Sequence, residues 1–227
     1  MVPHVAARPV PERRARERYG LLLVFLFASL FVQGAVPPSD AQEVVVAVLL
    51  GASMLLAFWA AGMAPRLVLF VGGLATALVI LSLVRATTGD IGDGTTRLMS
   101  AVLVSFGPPV VAYGVLRSLR MSGEVRIEAV MGVLSLYMLI GMLFAFVFGA
   151  IDRYGGPFFA GDASATVARC LYYSFTTLCT VGYGDFTARS DFGHTLSVFE
   201  ALIGQIYLVT VVSLIVGNLR RRIPERA

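Results

Sequence analysis

Long runs of apolar residues, separated by short polar stretches, set the overall pattern of this 227-residue chain. Each run has about twenty residues, the length that an α-helix needs to cross roughly 30 Å of hydrocarbon. The runs cover residues 20–36, 42–62, 66–84, 98–116, 128–151 and 194–219. This pattern predicts an all-α membrane protein with six transmembrane helices.

Prolines and glycines mark the ends and weak points of these runs. Pro37-Pro38 ends the first run, and Pro65 separates the second from the third. Residues 87–94 combine threonine, glycine and aspartate in a way that is typical of a loop. Within the fourth run, the sequence Gly107-Pro108-Pro109 predicts a kink in the helix.

The stretch between the last two runs, residues 152–193, does not fit a membrane span. Its apolar segment, residues 166–179, is too short to cross, and irregular backbone survives at membrane depth only where protein buries it or it lines water. We therefore predict a re-entrant loop, in which a short helix descends from the outside and extended chain climbs back. Asp162 or Ser164 is expected to cap this short helix.

Composition supports a membrane protein and argues against other classes. The chain is 57% hydrophobic and only 14% charged, which is too apolar for a soluble domain. No phosphate-binding loop, metal cluster or nucleophile–base pair occurs, and His4 and His194 are isolated, so we expect neither an enzyme nor a cofactor. Cys170 and Cys179 lie nine positions apart, on roughly opposite faces of the predicted short helix, and we interpret them as apolar fillers.

Charge alternates along the connections between the runs. The net charge of +4 does not indicate nucleic-acid binding, because the arginines lie at the ends of apolar runs. One side of the membrane collects an excess of arginine, which predicts that this side, with both termini, is cytoplasmic. The residues concerned are Arg8, Arg13, Arg14, Arg16, Arg18, Arg66, Arg117, Arg120, Arg126, Arg220, Arg221, Arg222 and Arg226. Anionic lipid head groups are candidate partners of the terminal arginines, although simple anchoring of the topology is the alternative.

The six residues Thr180-Val181-Gly182-Tyr183-Gly184-Asp185 carry the candidate chemistry. Backbone carbonyls can replace the water around a cation only if successive ones face the same axis, which requires alternate residues to adopt left-handed dihedrals. Gly182 and Gly184 accept a positive φ at little cost because they have no Cβ atom. A single copy of the loop faces an ion from one side only, so the sequence predicts a homo-oligomer.

The region from about residue 128 to 219 resembles the pore module of tetrameric potassium channels, and covers about two fifths of the chain. Residues 177–185 match the signature T-x-x-T-V-G-Y-G-D of that family in full. The resemblance implies a homotetramer in the plasma membrane, in which this chain joins three further copies of itself. It also implies that K⁺ is the permeant ion, coordinated by Thr180, Val181, Gly182, Tyr183 and Gly184.

The same resemblance divides the chain into segments. It implies a pore domain at residues 128–219, with an outer helix (128–151), a pore helix (about 166–179), a selectivity filter (180–185) and an inner helix (194–219). A cytoplasmic basic arm (1–19) and a four-helix membrane domain (20–116) precede it, and a short cytoplasmic tail (220–227) follows. The fourth span of voltage-gated channels carries arginines at every third position, whereas residues 98–116 contain none. We therefore expect weak or no voltage dependence.

Several side chains are expected to support the filter. Tyr172 and Tyr173 stand where many family members carry two tryptophans that hold the filter tyrosine, and Asp185 is a hydrogen-bond acceptor for them. Thr176 occupies a position at which the best-known bacterial members carry a glutamate. Thr177 is the remaining residue that is expected to support the filter.

Two residues of the last run are candidates for scaffolding or gating. Glu200 is the sole carboxylate inside this span, and an ionisable residue there is a functional-site hypothesis by default. It either holds the filter scaffold through a hydroxyl group such as that of Thr176 or Thr177, or faces the cavity and attracts cations. Gly204, one helical turn further on, is either a hinge or a small residue that allows close helix packing.

Two other channel or transport functions compete with a potassium channel. A less selective cation channel is one, although the complete filter signature argues against it. The pore subunit of a potassium transporter is the other; such proteins usually carry several degenerate loops in one chain, whereas this chain has a single intact copy.

Overall fold

The computed structural model describes residues 12–37, 39–88, 93–122 and 127–220. Within these ranges the chain is helical, with one isolated antiparallel bridge and no β-strand. The helices are α1 (Glu12–Ala35), α2 (Asp40–Ala60), α3 (Pro65–Thr88), α4 (Asp93–Ser105), α5 (Gly107–Ser122), α6 (Ile127–Gly155), α7 (Val167–Leu178) and α8 (Asp191–Arg220).

Six segments of the described chain are long and apolar enough to cross a membrane. They are Arg18–Ala35, Asp40–Ala60, Pro65–Thr88, Leu98–Arg117, Ala129–Gly155 and Asp191–Val211. The prediction that the apolar runs form six helices of membrane-spanning length is thereby confirmed. Many large apolar side chains on α1, α2 and α3 are exposed, including Phe31, Trp59 and Leu69, as expected for surfaces that face lipid.

The fourth span is built from two helices instead of one. Helix α4 ends at Ser105 and α5 begins at Gly107, so the helix is interrupted at Phe106. The interruption falls directly before Pro108 and Pro109, which lack the amide hydrogens that a continuous helix would need. Gly107 itself packs closely, because a Cβ atom there would approach both Leu139 Cδ atoms to 3.0 Å.

Helix α6 lies at the centre of the chain and contacts α1, α4, α5, α7 and α8. The first and fourth spans therefore pack against α6 of their own chain, and α2 and α3 pack against those two spans and each other. The shared core includes the buried side chains of Leu26, Met54, Leu103, Leu139 and Met142. Because each of these helices is apolar over most of its surface, small residues decide where two helices approach closely.

Two backbone hydrogen bonds join the segment before α7 to the segment before α8. Ala160 N donates to Thr187 O at 2.9 Å, and Arg189 N donates to Phe158 O at 2.7 Å. Aromatic rings pack around this junction, with Phe158 stacked on Phe148 at 4.6 Å and Phe159 against Phe186 at 5.4 Å. The junction thus holds together the two segments that flank α7 and the loop that follows it.

The start of α7 differs from the prediction. Thr166 caps the helix, with its hydroxyl oxygen accepting from Arg169 N at 3.3 Å, so the expected caps Asp162 and Ser164 are wrong. Ser164 instead binds the Arg169 guanidinium through its hydroxyl (2.8 Å) and its carbonyl (3.0 Å). Thr166 takes the cap because it has extended dihedrals directly before the first helical residue, Val167.

Part of the predicted terminal arm is helical, since α1 begins at Glu12. Arg18 lies over the Trp59 ring with its guanidinium carbon 3.5 Å from the ring centroid, which ties α1 to the end of α2. Residues 1–11, 38, 89–92, 123–126 and 221–227 lie outside the described residues. The lipid contacts expected of the arginines in those ranges therefore stay predictions.

Candidate functional site

The loop after α7 has an alternating backbone. Thr180, Gly182 and Gly184 have φ values of 56°, 51° and 79°, whereas the intervening residues Val181 and Tyr183 have ordinary negative values. The two glycines adopt this conformation freely, but a left-handed residue with a Cβ atom costs roughly 1–2 kcal/mol. Thr180 therefore holds a strained conformation, which surrounding contacts must maintain.

The carbonyl oxygen of Thr176 supplies such contacts. It accepts hydrogen bonds from Val181 N at 2.8 Å and from Gly182 N at 3.1 Å. Thr180 N donates to Thr177 O at 2.9 Å. Three successive amide groups of the loop are therefore directed to the end of α7, and their hydrogen-bonding capacity is used there. Among the described residues, no backbone hydrogen bond joins a carbonyl of residues 180–184 to the end of α7.

Tyr172 supports the C-terminal end of the loop. Its ring stacks on that of Tyr183, with centroids 6.2 Å apart and planes within 11° of parallel, and meets the Phe186 ring edge-on at 5.9 Å. Its hydroxyl lies near the Asp185 carboxylate, which acts on it electrostatically. Partial desolvation, followed by this interaction with Asp185, raises the pKa of the Tyr172 hydroxyl. The neutral hydroxyl, which can donate, is thus favoured.

Tyr173 points away from the loop, contrary to the expectation that both tyrosines hold it. Its hydroxyl pairs with that of Ser197 on α8 at 2.8 Å, and its ring packs against Phe148, Phe158 and Phe159. Successive residues of a helix face different directions, so only one of the two can lie on the loop side. Tyr173 instead fixes α7 to its neighbours.

Thr176 and Thr177 hold the loop through their backbone carbonyls. The Thr176 hydroxyl donates to Tyr173 O within α7 at 3.0 Å, and neither Thr176 nor Thr177 forms a hydrogen bond with Glu200. Asp185 also accepts from Phe186 N at 3.1 Å, which shapes the exit of the loop.

Glu200 is buried between helices, with a residue exposure of 0% in the single chain. A side chain that faced the cavity of an assembly would be exposed in an isolated protomer, so this burial argues against the cavity role. Its hydrogen-bond partner is Ser174 on α7, a residue that the sequence did not single out. The two residues are 26 positions apart, and no local pattern connects them.

Gly204 also faces α7. Helix α8 continues through this position, and a Cβ atom on Gly204 would overlap the carbonyl oxygen of Leu178. The close-packing interpretation is therefore the one that fits the contact. Tyr137 of α6 reaches the same carbonyl at 3.1 Å and was likewise missed, since a tyrosine in an apolar run carries no distinguishing signal.

The loop itself is exposed on one side. The exposed fractions of Val181 and Tyr183 are 51% and 71%, and apolar residues of α8 are exposed as well. These are Phe192, Val198, Phe199, Leu202, Ile203, Ile206, Leu208 and Val209. A single chain therefore presents an uncovered loop beside an uncovered apolar helix face, and it cannot surround an ion alone.

Within the described residues, no group of three or more histidine, cysteine, aspartate or glutamate side chains could hold a metal ion. Cys170 is buried and Cys179 is exposed, and neither forms a disulfide bond.

This combination of apolar helices of membrane-spanning length, a short helix and a loop with alternating left-handed residues is consistent with a membrane channel. In agreement, a family model described as an ion channel matches residues 132–221. The match covers α6 from Gly132 onward, α7, the loop and α8, or about two fifths of the chain. It identifies an ion channel domain there and indicates a channel rather than an enzyme. No curated protein and no solved structure matches the chain significantly.

Proposed function

We propose that the protein is a potassium-selective channel that conducts K⁺ passively and is not gated by voltage. The observation that carries this proposal is the alternation of left-handed and ordinary residues over 180–184, within a loop whose first amides are bound to α7. In this geometry the carbonyls of Thr180, Val181, Gly182, Tyr183 and Gly184 replace the hydration shell of K⁺.

The proposed pore is a homotetramer. The exposed loop and the adjacent exposed face of α8 are available to a partner, and a second copy of the same chain offers the same two surfaces. Closed rotational symmetry around the loop would place equivalent carbonyls on all sides of the ion. Four copies follow from the resemblance of the loop sequence to potassium channel filters.

In this proposal α7 is a re-entrant pore helix. It has 12 residues, too few to cross the bilayer, and it ends at Leu178 beside the loop. The C-terminal end of a helix carries a partial negative charge, which favours a cation near Thr180. The protein lies in the plasma membrane with both termini in the cytoplasm, as the distribution of arginine predicts.

Ion flux into liposomes tests the selectivity. Purified protein is reconstituted, and K⁺ and Na⁺ fluxes are compared with and without barium. We expect K⁺ flux that barium blocks and little Na⁺ flux. Similar K⁺ and Na⁺ fluxes would support the less selective cation channel instead. K⁺ movement that occurs only when an energy source is supplied would support a transporter subunit.

A matched pair of glycine variants ties the flux to the loop. Gly182→Ala and Gly161→Ala both place a Cβ atom at a positive φ (51° and 71°), and in the single chain neither meets an atom within 4 Å. Both positions lie close to the left-handed region, so the strain is comparable, but only Gly182 lies in the loop. We expect Gly182→Ala to abolish K⁺ selectivity and Gly161→Ala to retain it. Equal effects would contradict the proposed site.

A further inference from the structure

Three helices meet at the hydroxyl group of Ser174. This hydroxyl on α7 lies 2.7 Å from the carbonyl oxygen of Gly141 on α6, and it forms a short hydrogen bond with the Glu200 carboxyl group on α8. Ser174 and Glu200 both have an exposed fraction of 0%. The contact is therefore sealed from water, and its hydrogens must come from these groups themselves.

A count of hydrogens shows what state the contact requires. Ser174 has one hydroxyl hydrogen, and the Gly141 carbonyl can only accept. An ionised carboxylate can also only accept, so one of the two oxygen–oxygen contacts would then have no hydrogen between its atoms. A protonated Glu200 removes the conflict, because its hydroxyl donates to Ser174 and Ser174 donates to Gly141.

The surroundings of Glu200 agree with a neutral group. No ion pair to Glu200 exists among the described residues, whose one ion pair joins Arg85 to Glu43. The second carboxyl oxygen of Glu200 is buried without a hydrogen-bond partner. The ionisable side chain that acts on it from α6 is Tyr137, which supplies no positive charge. An uncompensated buried carboxylate would be strongly unfavourable.

We infer that Glu200 is a protonated carboxylic acid, and that its proton links α8 to α7 and α6 through Ser174. Glu200 is thus a positioning residue for α7, the helix whose Thr176 carbonyl holds the loop. Gly204 contacts Leu178 one turn further along both helices, so the two contacts together fix the register of α8 against α7. The inference does not depend on which ion the pore conducts.

Infrared spectroscopy tests the protonation state directly. We expect the reconstituted wild type at neutral pH to show a carbonyl stretching band of a protonated carboxylic acid, and Glu200→Gln to lack it. Glu43→Gln is the matched control, because Glu43 is paired with Arg85 and should contribute no such band. A spectrum that Glu200→Gln leaves unchanged in this region would show that Glu200 is ionised and would overturn the inference.

Thermal unfolding of the assembled protein provides a second readout. Gln at position 200 keeps a neutral donor for Ser174, so Glu200→Gln should unfold close to the wild-type temperature, whereas Ser174→Ala should unfold at a lower one. In the unfolded chain the carboxyl group of Glu200 ionises in mild acid, whereas in the folded protein it stays protonated. A rise in pH therefore favours the unfolded wild type, which should lose stability relative to Glu200→Gln. Parallel pH profiles for the two proteins would contradict the inference, whatever the ion selectivity.

Discussion

Gly204 of α8 lies directly against the backbone carbonyl of Leu178, the last residue of α7. A Cβ atom on Gly204 would overlap the carbonyl oxygen and come within 2.9 Å of Leu178 Cδ1. The two helices thus touch through backbone atoms immediately before the loop. Since Tyr137 of α6 donates to the same carbonyl, two spanning helices together position the end of α7.

Gly204→Ala should lower the free energy of unfolding. Alanine favours a helix over glycine by up to about 1 kcal/mol, but overpacking a tight contact costs about 1–3 kcal/mol. The overlap is with backbone, which cannot rotate away, so we expect the unfavourable effect to win. Thermal unfolding of the solubilised protein measures the change.

Gly73→Ala is the control for this prediction, because Gly73 lies in α3 with nothing within 4 Å of an added Cβ atom. It should be neutral or slightly stabilising. A Gly204→Ala protein as stable as Gly73→Ala would show that α8 and α7 are not packed as described.

Tyr172→Phe should lower the K⁺-to-Na⁺ permeability ratio of the proposed channel. The variant keeps the ring that stacks on Tyr183 and removes the hydroxyl group that interacts with Asp185, so the C-terminal end of the loop is held less firmly. Bi-ionic reversal potentials measure the ratio. Tyr154→Phe, at an exposed position near the end of α6, is the control and should match the wild type.

The contribution of Tyr172 should depend on pH in a defined direction. Its raised pKa means that the neutral, donating hydroxyl is fully present below the ordinary tyrosine value of about 10 and is lost as the pH rises through the raised value. The K⁺-to-Na⁺ permeability ratios of the wild type and Tyr172→Phe should therefore differ near neutral pH and converge in strong alkali. A difference that persists unchanged would indicate another cause.

Thr166→Ala should destabilise α7 by about 1 kcal/mol, the typical effect of losing an N-cap. Because α7 holds the loop through Thr176, we also expect lower K⁺ selectivity in the flux assay. Ser39→Ala removes the cap of α2, where Ser39 accepts from Gln42 N at 3.1 Å. It should lower stability to a similar extent and leave selectivity unchanged, and a loss of selectivity in both variants would point to general destabilisation.

The conductance of the proposed channel should vary only weakly with voltage. The span Leu98–Arg117 carries a single arginine, at its very end, and the helix is broken at Phe106. Little charge can therefore move through the membrane field. Conductance–voltage curves in planar bilayers should be shallow, and Arg117→Gln should not change their slope. A steep curve worth several gating charges would contradict this prediction.

The spanning helices could be predicted from the sequence because hydrocarbon imposes one requirement on every span. About twenty apolar residues in a row satisfy it, whatever the neighbours are. The break in the fourth span follows in the same way from Pro108 and Pro109, and the permissive positions of the loop from Gly182 and Gly184. These are properties of single residues or of short runs.

Contacts around α7 depend instead on how helices far apart in sequence are rotated against one another. Thr166 rather than Asp162 or Ser164 caps α7, because three nearby polar residues compete and the backbone path selects one. Tyr173 faces α8 instead of the loop, and Ser174 meets Glu200 across 26 positions. The amino-acid order determines which segments cross the membrane and where the chain can turn left-handed. Only the packing of α6, α7 and α8 decides which side chains meet, because apolar helix surfaces permit many rotations and the close contacts at Gly204 and Gly141 select one.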